Sequence, residues 1–123
     1  MEGSPLEVFG DGSQQRDFTY VDDIARGTIK ALKFLGYKII NLGGNKPYRL
    51  SESIKLMEKY IGKEAKCNYK ESYKADMKAT WADIEKAKKL LDWQPQISLE
   101  EGIKRTVDWT KDNWKWVKNI KIR

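Results

Sequence analysis

The sequence predicts an α/β fold in which short strands are combined with about four helices. Residues 14–21 alternate between two sets of side chains, which is the period-two pattern of a strand with two different faces. Residues 23–35, 51–61 and 98–117 instead carry apolar side chains at helical spacing. Because both patterns occur in one chain of 123 residues, an α/β domain with a core of its own is expected.

The first predicted elements flank a glycine-rich turn. Residues 6–9 should form a short strand, and Gly10-Asp11-Gly12 supply the positive φ angles of a tight reversal. We therefore expect residues 14–21 to form the neighbouring strand across this turn.

The following helix should begin at Asp23, with Asp22 as its N-cap and Asp23 in the first turn complementing the helix dipole. Gly36 is well placed to stop this helix after Leu35. Residues 38–42 are rich in β-branched side chains and predict another short strand.

A loop at residues 43–47 leads to the middle of the chain. Ser51 can cap the next helix, which should end at Gly62. Residues 65–70 are a further strand candidate, and residues 71–82 are expected to be irregular.

Two helices are predicted in the last third. Asp83 should cap a short helix, and Pro95 separates it from the final one, which opens with the capping box Ser98-Leu99-Glu100-Glu101. The apolar stripe of the final helix predicts packing against the core, whereas Trp109 and Trp116 lie off that stripe. These two rings are expected to cover a neighbouring element or to form an exposed patch.

The composition excludes several classes of site. Cys67 is the only cysteine, so an internal disulfide and a cysteine-based metal cluster are excluded. Histidine is absent, which removes the usual zinc sites and histidine-based acid/base catalysis.

The net charge of +6 raises the question of nucleic-acid binding. Lysines are scattered along every predicted helix with acidic residues between them, which favours a solvated surface over a nucleic-acid interface. No stretch has the roughly 20 apolar residues of a membrane span and no signal peptide opens the chain, so we expect a cytoplasmic protein without membrane contact.

The run E-V-F-G-D-G-S-Q-Q-R-D-F-T-Y-V-D-D carries a resemblance to a known family. Three further segments agree in order and spacing: I-I-N-L-G-G-N, A-D-M-K-A-T-W-A-D-I-E-K-A-K-K-L-L-D-W-Q-P and S-L-E-E-G-I-K. Together they resemble the carboxy-terminal, substrate-binding part of extended short-chain dehydrogenase/reductases, most closely the UDP-glucuronate 4-epimerases. The resemblance implies a single domain over residues 1–123 without the Rossmann core.

The catalytic motifs of that family are not found in this sequence. A G-x-G-x-x-G fingerprint would need a third glycine where Gln15 stands and a helix after it. No tyrosine starts a Tyr-x-x-x-Lys pair, since the residues four positions after the six tyrosines are Ile24, Asn41, Glu52, Glu64, Tyr73 and Met77. We therefore expect this chain alone to bind no cofactor and to catalyse nothing, with NAD held by the other half of the parent enzyme.

The resemblance assigns substrate contacts to six residues. Arg16 corresponds to an arginine that contacts the UDP diphosphate, for which a guanidinium is suited by its paired donors. Residues 7–9 (Glu7, Val8 and Phe9) correspond to the segment that lines the uracil, and Asp76 to an aspartate that binds the ribose hydroxyls. Thr80 corresponds to a position near the sugar. The alternatives to these substrate contacts are a surface ion pair of Arg16 with Asp17 or Asp22, a core position for Phe9 and a turn role for Asp76.

The chain departs from the family at Tyr73, where related epimerases often carry a second phosphate-binding arginine. Lys74 could supply charge there, but only as a flexible point charge.

The resemblance also implies that part of the segment 22–43 packs on the NAD-binding half, so the isolated chain is expected to expose an apolar face and to self-associate. A sister decarboxylase or dehydratase and a non-catalytic binding domain are the alternative functions.

Overall fold

The computed structural model describes residues 3–73 and 75–120. Strands and helices alternate irregularly along the chain. In order they are β1 (Leu6–Phe9), β2 (Gln15–Arg16), α1 (Val21–Lys30), β3 (Tyr48–Arg49), α2 (Leu50–Ile61), β4 (Cys67–Lys70), α3 (Glu85–Leu91), α4 (Leu99–Asp112) and α5 (Trp114–Val117). The α/β class is confirmed, and the described residues contain five helices because the last predicted helix is interrupted at Asn113.

The strands form two separate two-stranded sheets. β1 pairs with β4 in parallel, from Leu6 opposite Cys67 to Phe9 opposite Lys70, and β2 pairs with β3 antiparallel. The predicted pairing of residues 6–9 with residues 14–21 is therefore wrong. The turn has the expected positive φ angles at Gly10 and Gly12, but it carries the chain from one sheet into the other. Only Gln15 and Arg16 of the second predicted strand are paired.

Helix α1 begins two residues earlier than predicted, because Tyr20 rather than Asp22 occupies the N-cap position. It also ends at Lys30, well before Gly36. Residues 38–42 form no strand, since the described residues offer no neighbour for their backbone hydrogen-bonding groups. The segment between Ile29 and Ile39 consequently lies on the surface, with large apolar side chains exposed.

Helix α2 ends where the sequence predicted, but it does not begin there. Gly62 terminates the helix with a φ of 77°, as predicted. Ser51 is not its cap; Arg49 holds the N-cap position, and the Arg49 amide donates to Glu52 Oε2 at 3.0 Å. The polar side chain three residues into the helix, rather than the serine, satisfies this backbone group.

The last two predicted caps are closer to the structure. Ser98 caps α4, and its hydroxyl accepts from the Glu101 amide at 3.2 Å. Asp83 accepts from the Glu85 amide at 2.9 Å, one residue before the N-cap position of α3 at Ile84.

The core lies between α1, α3 and the segment that follows α3. Ile84, Ala87, Leu91 and Trp93 form its buried cluster. The Trp93 indole donates to the carbonyl oxygen of Asp23 at 2.9 Å, which ties the cluster to the start of α1. No pattern in the sequence distinguished Trp93 from the exposed tryptophans.

The Asp23 carboxylate joins the two ends of this core. It is 2% exposed and accepts from Arg26 at 2.5 Å and from the amides of Gln96 and Ile97 at 3.0 and 2.9 Å. A buried charge is tolerated only when it is paired and hydrogen-bonded, and this one is both. Asp23 is therefore a structural residue rather than a simple partner of the helix dipole.

A second acidic side chain fixes the loop that leads to β3. Asp17 accepts from the amides of Gly44, Asn45 and Ala82 at 2.7, 3.1 and 3.0 Å. A carboxylate that binds three amides from two distant segments orders both of them. Asp17 thereby positions the chain directly after β2.

Two kinds of feature are absent from residues 3–73 and 75–120. These residues contain no helix with the length and apolar character needed to cross a membrane. They also contain no cluster of three or more histidine, cysteine or acidic side chains that could hold a metal ion.

Candidate functional site

An open cleft of about 640 Å³ lies where β1 ends. The turn after β1 forms one wall and the irregular segment after β4 forms the other. Its lining residues are Phe9, Gly10, Asp11, Ser13, Gln14, Gln15, Ser72, Tyr73, Asp76, Met77, Lys78 and Ala79. Two of the six residues assigned from the sequence, Phe9 and Asp76, therefore share one cleft.

Arg16 lies at the edge of this cleft, in β2. Its Nη1 donates to the carbonyl oxygens of Gln15 at 2.7 Å and Met77 at 2.8 Å, and its Nη2 donates to Asp76 Oδ1. The side chains of Arg16 and Asp76 are 30% and 43% exposed, so solvent or a ligand can reach the pair. Two carbonyl oxygens hold Nη1 of the guanidinium, and Nη2 faces a carboxylate of the cleft.

The alternative ion pairs predicted for Arg16 are not formed. Asp17 is occupied by the three amides described above, and the nearest cation to Asp22 is Arg105 at 4.0 Å. Asp76 also takes part in a turn, because its amide donates to Tyr73 at 2.9 Å. Asp76 thus lies in a turn with its carboxylate directed at Arg16, and its contact with the ribose stays a prediction.

The three assigned residues of β1 have different surroundings. Phe9 is 47% exposed and is not a core residue. Val8 is 1% exposed, so its side chain belongs to the interior. The Glu7 carboxylate is bound to Lys70 at 2.6 Å on the neighbouring strand.

The backbone of β1 leaves one edge uncovered by any strand of the described residues. The Leu6 amide donates to the carbonyl oxygen of Lys66, directly before β4, and the Gly10 amide donates to that of Lys70, the last residue of β4. Because backbone groups alternate in direction along a strand, the amides of Glu7 and Phe9 point to the opposite edge. This edge is open to a ligand that is read through backbone hydrogen bonds.

Thr80 lies beside β2 but not in the cleft. Its amide donates to Gln15 at 3.2 Å, and its side chain is exposed. Tyr73, which stands in place of the second arginine, lines the cleft and is 72% exposed. Lys74 lies outside the described residues.

Several cleft residues were not assigned from the sequence. Gln14 donates from its amide side chain to the Phe9 carbonyl at 2.9 Å and so fixes the turn against β1. Asp11 accepts from the Ser13 amide at 2.9 Å, and hydrogen bonds from Ser13 lower the pKa of the Asp11 carboxyl. Their only signal in the sequence is their position within the glycine-rich turn.

The match to a known family covers most of the chain. Residues 2–106 match the family model described as GDP-mannose 4,6 dehydratase. The chain belongs to this family. Its α/β structure matches the carboxy-terminal part of extended short-chain dehydrogenase/reductases, as the sequence predicted.

Relatives in this family include enzymes of nucleotide-sugar metabolism. The chain is 60% identical to a UDP-glucuronate 4-epimerase of Thermodesulfobacterium geofontis, over 98% of this chain and 38% of that protein. The structure superposes with a TM-score of 0.80 on a UDP-glucuronic acid 4-epimerase of Bacillus cereus in complex with UDP-glucuronic acid and NAD, at 43% identity, over 90% of this chain and 36% of that one. It also resembles a dTDP-glucose 4,6-dehydratase of Bacillus anthracis in complex with NAD, with a TM-score of 0.85 at 28% identity, over 98% of this chain and 39% of that one. The chain therefore spans well under half the length of these family members.

The cofactor seen in those structures does not fit the described residues. A dinucleotide site needs a glycine-rich turn that leads from a strand into a helix, so that the pyrophosphate meets the helix N-terminus. Here the Gly10-Asp11-Gly12 turn leads from β1 into β2. We therefore assign no residue of this family member to NAD.

Proposed function

We propose that this chain is the substrate-binding part of an NAD-dependent UDP-sugar 4-epimerase of the UDP-glucuronate type. The observation that carries the proposal is that Phe9 and Asp76 line one cleft and that Arg16, at its edge, contacts Asp76, although the three residues come from separate segments. The 60% identity to a UDP-glucuronate 4-epimerase supports it. As one domain of a larger enzyme, it would work in the cytoplasm.

The cleft offers a distinct group to each part of a UDP molecule. The exposed Phe9 ring and the open β1 edge suit a pyrimidine base, which presents an aromatic face and hydrogen-bonding edges. The Arg16 guanidinium suits the diphosphate, and the Asp76 carboxylate suits the ribose hydroxyls. Thr80 stands further along the same segment, toward which the sugar would extend.

A second surface would bind the NAD-carrying part of the same enzyme. Ile29, Leu32, Phe34, Tyr37 and Ile39 are 67%, 82%, 101%, 89% and 67% exposed and lie close together along the chain. We call residues 29–39 the apolar segment. Its exposed area and the unpaired backbone that follows it support contact with a part of the enzyme that this chain does not contain.

The proposed division of labour predicts that this chain alone does not turn over UDP-glucuronate. Catalysis would need NAD and a proton-transferring tyrosine. This sequence contains neither the glycine-rich fingerprint that binds NAD nor a Tyr-x-x-x-Lys pair. Incubation of the chain with NAD and UDP-glucuronate, followed by separation of the two epimers, should show no UDP-galacturonate. A longer enzyme with the same carboxy-terminal sequence is the positive control, and turnover by the 123-residue chain would disprove the division.

The apolar segment predicts that the isolated chain self-associates. Sedimentation velocity should show a concentration-dependent oligomer, and Leu32→Glu together with Phe34→Glu should shift it to the monomer. The matched control is Trp109→Ala with Trp116→Ala, which removes a different exposed apolar pair whose ring centroids are 5.9 Å apart. The prediction would be contradicted if the chain were monomeric at all concentrations, or if only the control variant shifted the oligomer to the monomer.

A decarboxylase or dehydratase parent is the second candidate function. The TM-score of 0.85 with a dTDP-glucose 4,6-dehydratase favours it, because the same carboxy-terminal architecture serves both reactions. Product analysis with the longer enzyme separates the two functions, since an epimerase conserves the mass of the sugar and a decarboxylase or dehydratase does not.

A non-catalytic domain with a decayed site would show no rise in melting temperature with UDP.

A further inference from the structure

An exposed aromatic and aliphatic surface lies where α4 passes into α5. Trp109 and Trp116 are 51% and 60% exposed, and Ile120 is 49% exposed. The two indole rings meet edge to face, with centroids 5.9 Å apart and planes at 89°. Hydrogen-bonded turns continue to Ile120, and side chains four residues apart in such turns, as Trp116 and Ile120 are, lie on one side of the chain. We call Trp109, Trp116 and Ile120 the tryptophan patch.

The segment that carries Trp116 and Ile120 is positively charged. Residues 113–123 contain four basic residues and no acidic one: Lys115, Lys118, Lys121 and Arg123. Lys115 and Lys118 are exposed, and neither forms an ion pair with an acidic side chain of the part of the chain that the structure describes. Arg105 of α4 differs, since it binds Glu101 of its own helix at 2.7 Å. The charge after α4 is therefore available to an anionic partner.

Tryptophan and basic side chains together are typical of proteins that bind the surface of a bilayer. Indole rings and aliphatic side chains enter the boundary between headgroups and acyl chains, while lysines reach anionic headgroups. Each basic residue near such a surface strengthens binding about fivefold. The lack of an apolar span led to the expectation of no membrane contact, but a peripheral contact needs no span.

Two other occupants fit this surface less well. A second copy of the chain would bring a segment of the same positive charge against the first, and like charges oppose such a contact. A nucleic acid would stack its bases on open ring faces, whereas the edge-to-face pair covers part of one face. An anionic bilayer matches both the positive charge and the aliphatic side chain of Ile120.

We propose that the tryptophan patch and the basic residues beside it bind an anionic membrane surface peripherally. Trp116 and Ile120 would enter the interface, and Lys115 and Lys118 would contact the headgroups. The cleft around Phe9 is built from other segments, so this inference and the proposed function can fail separately.

Sedimentation of the 123-residue chain with lipid vesicles tests this contact. Vesicles in which about a third of the lipid is phosphatidylglycerol should bind the chain, and phosphatidylcholine vesicles should bind it at least about tenfold more weakly. Lys115→Gln with Lys118→Gln should lower the partition coefficient for the anionic vesicles about 25-fold, because two charges are removed.

The matched control is Lys33→Gln with Lys38→Gln, which removes two exposed charges from the apolar segment. Screening should keep its effect on the partition coefficient below about twofold. Equal losses in the two double variants, or equal binding to both kinds of vesicle, would overturn the inference. Tighter binding to a DNA duplex than to the anionic vesicles at the same ionic strength would also overturn it.

The insertion of Trp116 has a readout of its own. Phosphatidylglycerol with brominated acyl chains should quench the tryptophan fluorescence of the bound chain, and Trp116→Ser should lose part of this quenching. Bound wild-type chain whose fluorescence is not quenched would show that no indole enters the bilayer and would overturn the proposed contact of the tryptophan patch.

Discussion

Asp23→Ala is expected to lower the free energy of unfolding by about 3 kcal/mol, because it removes a buried carboxylate and leaves its partners without an acceptor. The carboxylate binds Arg26 and the amides of Gln96 and Ile97, and it is 2% exposed. Arg26 is 31% exposed and can be partly hydrated, which keeps the loss at the lower end of values for broken buried pairs. Thermal denaturation should show a melting temperature lower by about 10 °C.

The neighbouring aspartate provides the control for this variant. The Asp22 side chain is 68% exposed, and its nearest cation, Arg105, is 4.0 Å away. Asp22→Ala removes a charge from the same helical turn and should cost less than about 1 kcal/mol. Equal losses for the two variants would show that the charge near the helix start, and not the buried hydrogen bonds of Asp23, stabilises the fold.

Features that depend on a few adjacent residues were predicted well from the sequence. The positive φ angles at Gly10 and Gly12, the end of α2 at Gly62 and the Ser98 cap of α4 follow from the conformational limits of single residue types. Strand pairing was not predicted, since β1 finds its partner about 60 residues away, at Cys67–Lys70. Nothing in the local pattern distinguishes that partner from the nearer segment at residues 14–21.

The strand expected at residues 38–42 shows a different limit. Its β-branched residues favour extended backbone, but a strand exists only where a neighbour satisfies its hydrogen-bonding groups. The sequence propensity therefore predicts a strand at residues 38–42, but the described residues provide no partner strand for it.

The candidate site was predicted in part. The motif around Arg16 and the aspartate at position 76 could be recognised by resemblance, and the structure brings these two residues into contact. Their pairing could not be read from the sequence, because 60 positions separate them. The resemblance also did not indicate that the Val8 side chain is buried, or that Gln14 ties the turn to Phe9. These follow only from the register of β1 and the path of the turn.

Arg16→Ala is expected to weaken UDP binding by about 1.5 to 3 kcal/mol, or roughly 10- to 150-fold in the dissociation constant. Two effects add in this variant. The diphosphate loses a charge-assisted donor, and Asp76 loses its cation and remains as an unpaired anion beside the ligand. Arg16→Lys should recover part of the loss, since it restores the charge without the paired donors.

The contribution of the unpaired aspartate can be separated by a double-mutant cycle measured by calorimetry. If Asp76 repels the diphosphate once Arg16 is absent, Arg16→Ala should cost less UDP affinity in the Asp76→Asn background than in the wild type. Arg49→Ala is the control, because Arg49 pairs with Gln15 on the adjacent strand and lies outside the cleft lining. Unchanged UDP affinity in Arg16→Ala would remove Arg16 from the site, and equal losses in both backgrounds would show that the two side chains act independently on the ligand.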